Sequence, residues 1–453
     1  MPGYKEEVEE DYIFQPEKPE QKSVESKKRK SYRWMYLIAV LFVLALFLFA
    51  YYFVLQPQIA KNEGTLLINQ LNNVISNKKT LESMQENLNN DELVQRLSVY
   101  ANSFQNLANS LAKFNNSYAT KYISIGQYTV IAWGVCKSEL GYYPEAISKV
   151  ESYFNSYQNS ITNKDMYYYY LSKWYRNYNI ESSKHYVELA KRDFPNSYYT
   201  IKAVYEDAIS ETNIEQKIAN LNAIVQNYNK NEEITVLTLE SLGDTYLVKA
   251  LVNPSFIKNA IDSYNEALAI VNKSKNDYKS EKINLQKKIA KAYAKYITVT
   301  QGQDADKAIQ YCDLAISGSS DLKVVENLYF LKGDIYFYAK RYSEAITAYT
   351  NSLILFPNSK YAQQAYYRIG KAYNALNQKD VAIAYLTLAT SINQNSQDFP
   401  TIALDLGKTL ESVKRYKEAL NIYKFLTANP STPPYITSEA SKRIQAIEVM
   451  LNG

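Results

Sequence analysis

The chain has 453 residues, 46% hydrophobic and 21% charged, with 51 Lys and Arg against 46 Asp and Glu. That balance excludes wholesale disorder and gives no basic excess that would make nucleic acid the default partner. Glycine and proline number 12 each, well below ordinary usage, which disfavours a fold of many hairpin turns and favours long helices; two cysteines and one histidine exclude a disulfide scaffold and a Cys/His zinc site.

Taken in order, the chain opens with an acidic stretch. Residues 1–26 carry eight acids, three lysines and three prolines, a composition expected to stay disordered. Within it Tyr12-Ile13-Phe14 is a candidate short motif for a cytoplasmic partner. Residues Met35 to Leu55 then run twenty-one positions without a charge, enough for a helix to cross a hydrocarbon layer of roughly 30 Å. Lys27, Lys28, Arg29, Lys30 and Arg33 precede this run and only Lys61 follows closely, so the basic bias puts the N-terminus in the cytoplasm and the rest of the chain outside. Trp34, Tyr36, Tyr51 and Tyr52 suit the two headgroup boundaries. The apolar run is too long, and its polar leader too extended, for a cleaved signal peptide; no cysteine follows to carry a lipid. The expected parts are a tail over 1–34, a membrane helix over 35–55, a helical stalk over 57–123 and a repeat array over 124–451.

In the stalk, Leu67, Val74, Leu81 and Leu88 recur every seven residues, a weak coiled-coil pattern, but Gln70, Asn77 and Met84 at the companion positions favour helices that pack on the array behind them. Asp91 is placed to cap a helix bearing Leu93, Leu97, Tyr100 and Phe104 on one stripe.

Beyond the stalk a fixed period emerges. Gly333, Gly370 and Gly407 stand thirty-seven residues apart, each within the same surroundings. Tyr329, Gly333 and Tyr336 fall on one face of a first helix, Ala345, Tyr349 and Ser352 on one face of a second, and Pro357 ends the unit. A small residue lets two helices approach and a large one opposite fills the space left, which is the logic of a helical hairpin that must stack to bury its other face. This resembles the tetratricopeptide repeat, a unit of about thirty-four residues. The next unit matches with Tyr366, Gly370, Tyr373, Ala382, Leu386 and Ala389, and a third with Leu406, Gly407, Ala419 and Tyr423. Upstream, Leu239, Gly243, Tyr246, Ala260, Tyr264 and Ala267 form one unit and Ile289, Ala290, Tyr293, Ala308, Cys312 and Ala315 another, each with a lengthened turn. Trp133, Gly134, Ala146 and Val150 mark a more worn unit, Leu171, Trp174, Ala190 and Pro195 a second, and residues 198–230 a degenerate third. Residues 436–451 look like the helix that caps such arrays. The resemblance implies an α-α superhelix of about eight units, and with the apolar run ahead of it the expected fold is all-α, a single N-terminal transmembrane helix followed by that superhelix.

No phosphate loop, zinc-protease helix, nucleophile elbow or calcium loop occurs, so no enzyme, cofactor or metal is expected. His185 reads as surface or packed, Cys136 and Cys312 as buried and unbridged, and Glu232-Glu233 as a helix start. In the repeat family the first helices line a concave surface. The resemblance assigns to it Asn327, Phe330, Asp334, Phe337 and Tyr338, then Gln364, Tyr367, Lys371 and Asn374, then Lys408 and Glu411, with Lys287, Lys291 and Lys295 from the unit before. That implies a groove with aromatic floor and lysine walls, suited to a peptide segment of a protein partner. Receptors for chaperone tails in this family use a basic carboxylate clamp; Phe330, Asp334, Tyr367 and Lys371 do not match its pattern and only Arg368 falls at one of its basic positions, so that function is not expected. In layout the chain is similar to bacterial inner-membrane proteins with periplasmic tetratricopeptide repeats, which implies a scaffold in envelope assembly or secretion. The alternative is an extracytoplasmic glycan or small-ligand binder using the tyrosine-rich groove, in a chain of 44 tyrosines.

Overall fold

In a computed structural model the described residues are 33–83, 90–300 and 302–452, and among them the regular structure is helical throughout. The docking motif Tyr12-Ile13-Phe14, the basic cluster Lys27 to Lys30, and Met84 and Leu88 of the stalk lie outside the described residues, as do the side chains of Trp34, Tyr36, Leu81 and Leu93. The chain divides into two compact units, Met1–Ser210 and Glu211–Gly453.

The first unit begins with a long helical rod. Helix α1 (Arg33–Ala50) passes through a π turn, Tyr51–Leu55, into α2 (Gln56–Ser83), and the flanking residues Ala50 and Gln56 keep right-handed helical dihedrals, so the axis is not broken. The apolar side chains of the rod from Leu41 to Leu55 face away from protein: Phe42 is 63% exposed, Phe47 70% and Phe53 68%. Among the described residues this is the one helical stretch long and apolar enough to cross a membrane. Farther along, the rod enters the protein. Ile68 and Leu71 are fully buried and Leu67 nearly so, where α2 packs on α3 (Asn90–Phe114) and α4 (Ile123–Glu139). Gly64 makes that approach possible, since a Cβ there would lie 2.6 Å from Ile125 Cγ1. Asp91 falls inside α3 rather than before it, and its side chain lies outside the described residues. Phe104 is buried from the same helix and Leu97 and Tyr100 partly so. Antiparallel pairs follow, α4 with α5 (Tyr143–Tyr157) and α6 (Lys164–Arg176) with α7 (Ile180–Asp193), and α8 (Tyr198–Ser210) closes the unit.

The second unit starts with α9 (Ile214–Asn227) and continues as five hairpins: α10 (Glu232–Lys249) with α11 (Phe256–Lys273), α12 (Lys279–Thr300) with α13 (Ala305–Gly318), α14 (Leu322–Tyr338) with α15 (Tyr342–Leu355), α16 (Ala362–Ala375) with α17 (Lys379–Ile392), and α18 (Phe399–Ser412) with α19 (Tyr416–Ala428). Helix α20 (Pro434–Asn452) lies on α19 and buries Ile436, Ala440 and Ile447. Local chemistry sets the starts: Asn213, Asn231 and Asp321 accept from the amides of Gln216, Ile234 and Lys323. It also sets the sharp turn inside four of the hairpins, α4–α5, α14–α15, α16–α17 and α18–α19. Gly141, Lys340, Asn377 and Lys414 all take positive φ, between 60° and 83°. Beside them the amides of Tyr142, Arg341, Gln378 and Arg415 reach back to the carbonyls of Lys137, Tyr336, Tyr373 and Leu410, the six-to-one bond of a Schellman stop.

Candidate functional site

Four hairpins of the second unit are each held by one interlocked pair. A Cβ on Gly407 would lie 2.5 Å from the ring of Tyr423, and one on Gly370 would lie 2.8 Å from Leu386; Gly333 stands in the same relation to Tyr349, and Gly243 to Tyr264. The bulky partner therefore lies on bare backbone, and Tyr264, Tyr349 and Tyr423 are completely buried. A buried phenol needs a partner for its hydroxyl. Tyr264 donates to Asp244 and Tyr349 to Asp334, both at 2.6 Å, and each acid directly follows the glycine. After Gly407 comes Lys408, so Tyr423 donates instead to Glu411, at 2.9 Å. Burial, reinforced by the adjacent carboxylate, pushes the Tyr349 phenol well above its ordinary range. Burial likewise raises the Asp334 carboxyl, against the opposing pull of the Tyr349 hydrogen bond and of Arg368.

Acids on the first helices also tie several hairpins to the element that follows. Arg368 on α16 lies 3.5 Å from Asp334 on α14, donates to the Tyr338 hydroxyl at 2.7 Å, and sits over the rings of Phe337 and Tyr338. Asn327 donates to the Tyr361 hydroxyl at 2.8 Å, and Phe330 stacks on the Tyr361 ring at 4.9 Å. From α16 to α18, Tyr367 donates to Asp405 at 2.7 Å, Lys371 approaches the same carboxylate at 3.5 Å, and Asn374 meets Thr409 at 3.5 Å. Gln364 donates to Asp398 just before α18. From α18 to α20, Lys408 lies 3.6 Å from Glu439, and Arg443 donates to Glu411 at 2.9 Å. Earlier in the unit, Lys288 on α12 reaches both Glu240 and Asp244 on α10, at 2.7 and 2.6 Å. The first helices thus carry a polar ladder with aromatic rungs.

The structure brings together Phe330, Asp334, Phe337, Tyr338, Tyr367 and Lys371 along α14 and α16, and sets Lys408 on α18. Tyr367 is buried, and Asn327, Phe330, Asp334, Phe337, Tyr338, Lys371, Asn374 and Lys408 are all half-buried. Lys291 and Lys295 are exposed on α12, while it is Lys288, one position past Lys287, that enters the ladder. Sequence reasoning missed Arg368 as a structural cation, and it missed Tyr361, Asp405 and Glu439 as partners. The acid directly after Gly243 and Gly333 is the one signal of such a ladder. The glycan alternative is not favoured: Tyr264, Tyr349, Tyr367 and Tyr423 are buried, with their hydroxyls on carboxylates. Cys136 and Cys312 are buried in different units, and burial pushes both thiols up to about 12.

Comparison with known proteins bears on the repeats. Residues 326–359 and 363–396 each match a family profile described as tetratricopeptide repeat. No curated protein matches the chain. Among solved structures, it is similar to the C-terminal part of a tetratricopeptide-repeat-containing protein from Cytophaga hutchinsonii, at 17% identity over 68% of this chain and 98% of that one, with a TM-score of 0.37. It is also similar to BtubC from P. vanneervenii, at 15% identity over 55% and 92%, TM-score 0.36, and to the apo form of RapI, at 12% identity over 62% and 99%, TM-score 0.35. The two matched segments coincide with the hairpins α14–α15 and α16–α17, whose interlocked pairs and ladder are described above, and these two hairpins are tetratricopeptide repeats.

Proposed function

We propose that the protein is a non-enzymatic scaffold, anchored in a membrane by residues 35–55, that holds a segment of a protein partner on the inner face of α14, α16 and α18. The observation that carries the reading is the ladder itself. Aromatic rings and half-buried charges alternate along one face, with Lys371 and Lys408 keeping 40% and 37% of their side chains exposed for a guest. Such a face offers apolar contact to an extended or helical peptide and pairs its acidic side chains. The anchor rests on the unshielded apolar rod between Leu41 and Leu55: each such side chain gains roughly 1.5–3 kcal/mol on leaving water, and no protein surface covers them. The basic residues before the rod support a cytoplasmic tail of residues 1–34 and repeats on the far side, most simply in the periplasm of a bacterium. Cell-envelope assembly or secretion is the process that this layout fits.

Photocrosslinkers at Phe337 and Lys371 test the groove, since both positions are accessible where Tyr367 is not. The expected result is one protein captured from both sites, and its loss on Arg368→Glu with the fold retained. Absence of any crosslinked protein from either site in the native membrane would overturn the groove. Digestion of intact spheroplasts tests the sidedness: the repeats should be degraded and the first thirty residues spared.

A further inference from the structure

The first unit has a groove of about 650 Å³ along α5, on elements that take no part in the polar ladder. It runs from Pro144 to Ser156, and at 1.5 Å of rise per residue that face of the helix is about 18 Å long. Ser148, Ser152 and Ser156 stand four residues apart on it, all exposed, so the wall that α5 presents is low and lets a polypeptide backbone come close. The end of α6 and the turn after it complete the lining with Tyr175 and Tyr178, the second 66% exposed.

One charge stands in this groove. Of the lining residues only Glu151, midway along α5 and half-buried, is ionised. Two phenols hold its carboxylate: Tyr175 donates to Oε2 at 3.1 Å and Tyr186 on α7 donates to Oε1, their rings stacked 5.8 Å apart at 16°. Burial, with the Glu151 charge beside it, pushes the Tyr175 phenol up to about 12, and burial with the Glu151 hydrogen bond raises Tyr186, so both hydroxyls remain donors at neutral pH. Neither donor cancels the charge. Among the described residues Glu151 makes no ion pair. Lys149, Arg176 and Lys191 on the same three helices are engaged elsewhere, the first 4.3 Å from the centre of the Trp133 ring, the second with Glu206 at 3.0 Å and the third with Glu188 at 2.7 Å. A carboxylate has about four lone-pair sites, of which the phenols take two. Glu151 is therefore an acceptor held in place, with one negative charge still to be matched.

We propose that this groove receives an extended segment of a protein partner and that Glu151 takes the guanidinium of an arginine in that segment. A guanidinium pairs with a carboxylate through parallel N–H donors and stacks on aromatic faces, so Glu151 and the exposed Tyr178 ring call for arginine ahead of lysine. Length argues for a peptide over a small guanidine: five extended residues span about 17 Å, close to the α5 face, and Glu151 stands near the middle of it. The inference concerns the first unit alone and does not rest on the ladder of α14, α16 and α18.

The probe is acetyl-Ala-Ala-Arg-Ala-Ala-amide, and the same peptide with citrulline in place of arginine is its uncharged copy. In equilibrium dialysis with the full chain in detergent, the arginine peptide should bind saturably to one site per chain, and the citrulline peptide should bind about tenfold more weakly or worse. Glu151→Gln, which still accepts from one phenol and donates to the other, should weaken the arginine peptide by about the same factor, and Tyr178→Ala by about threefold. Glu188→Gln, an exposed acid of α7 outside the groove, should change binding by less than about twofold, with all three variants matching the parent in circular dichroism. Argininamide alone should bind at least about tenfold more weakly than the peptide, since it leaves most of the wall uncovered. No saturable binding to the unaltered chain, undiminished binding of the citrulline peptide, undiminished binding by Glu151→Gln, or argininamide binding as tightly as the peptide would each overturn the proposal. None of these results bears on crosslinking at Phe337 and Lys371.

Discussion

The phenol of Tyr349 ends on the carboxylate of Asp334, 2.6 Å away, while its ring lies against Gly333, so one side chain of the second helix satisfies two consecutive residues of the first. The contact is both steric and polar, and the two parts can be separated. Gly333→Ala should cost about 1–3 kcal/mol, because the added methyl overlaps a ring that has nowhere to go. The hairpin α12–α13 has a different solution, Ala290 and Cys312 at the corresponding places, both fully buried. Combining Gly333→Ala with Tyr349→Cys should therefore be less destabilising than the sum of the single changes in a urea double-mutant cycle. Additive losses would mean that the glycine is not there for the ring.

The hairpin turns make an independent prediction about backbone. Lys340 and Lys414 sit at φ of 60° and 64°, a conformation that costs an L-residue roughly 1–2 kcal/mol and glycine little. Lys340→Gly and Lys414→Gly should each stabilise the protein, by about 0.5–1 kcal/mol after the greater freedom of unfolded glycine is subtracted. Asn377→Gly should give less, since asparagine tolerates this region. Gly141, at φ of 83°, has open space where a methyl would stand, with no neighbour within 4 Å, so Gly141→Ala should lose stability from backbone strain alone. Thermal melts of the four variants distinguish these signs.

Ladder members should differ in weight according to burial. Arg368→Met removes the cation 3.5 Å from the Asp334 carboxylate and leaves the Tyr338 hydroxyl without its donor in a half-buried site, and a loss of about 1–3 kcal/mol is expected. Lys408→Met breaks a 3.6 Å contact between side chains at least one-third exposed, and the change should stay within about 0.5 kcal/mol. Equal losses in denaturant titrations would contradict the ranking.

Asp334 also gives stability a pH dependence of defined sign. Its carboxyl is raised above the ordinary 3.8 by burial, so from that value upward to its folded pKa the native protein holds a proton that the unfolded chain has released. Stability from this group therefore falls as pH rises through that interval and is level above it. Asp334→Asn removes the effect while retaining an acceptor for Tyr349. In urea titrations from about pH 4 to 8 the wild type should lose stability relative to the variant across the lower part of the range. A difference constant in pH would show the carboxyl to be undisplaced.

What can be read from the amino acids and what cannot divides along physical lines. The slot at Gly333, Gly370 and Gly407 is legible because small and large residues must alternate at fixed helical spacing wherever two helices touch. Ser352, standing where the repeat has alanine, fits for the same reason and is 2% exposed. The turn residues are not legible: Lys340 and Lys414 are poor left-handed formers, and the Schellman bonds hold them there against local preference. Nor are the ladder bonds, because Arg368 to Tyr338 or Tyr367 to Asp405 depends on the register of one hairpin against the next, which no single unit encodes. Tyr367 illustrates the consequence. Its repeat position assigns it to a groove surface, and reaching Asp405 draws it under its neighbours. The π turns at Tyr51–Leu55 and Asn115–Ala119 have no compositional mark at all.

The uninterrupted passage from α1 through Tyr51–Leu55 into α2 has a mechanical consequence. A soft leash would let the first unit tumble about its attachment point, whereas a continuous rod clamped at Gly64 against Ile125 behaves as a handle. Whatever grips the apolar end also aims α3, α4 and α5, so tilt or rotation at one end is delivered as a change of heading at the other.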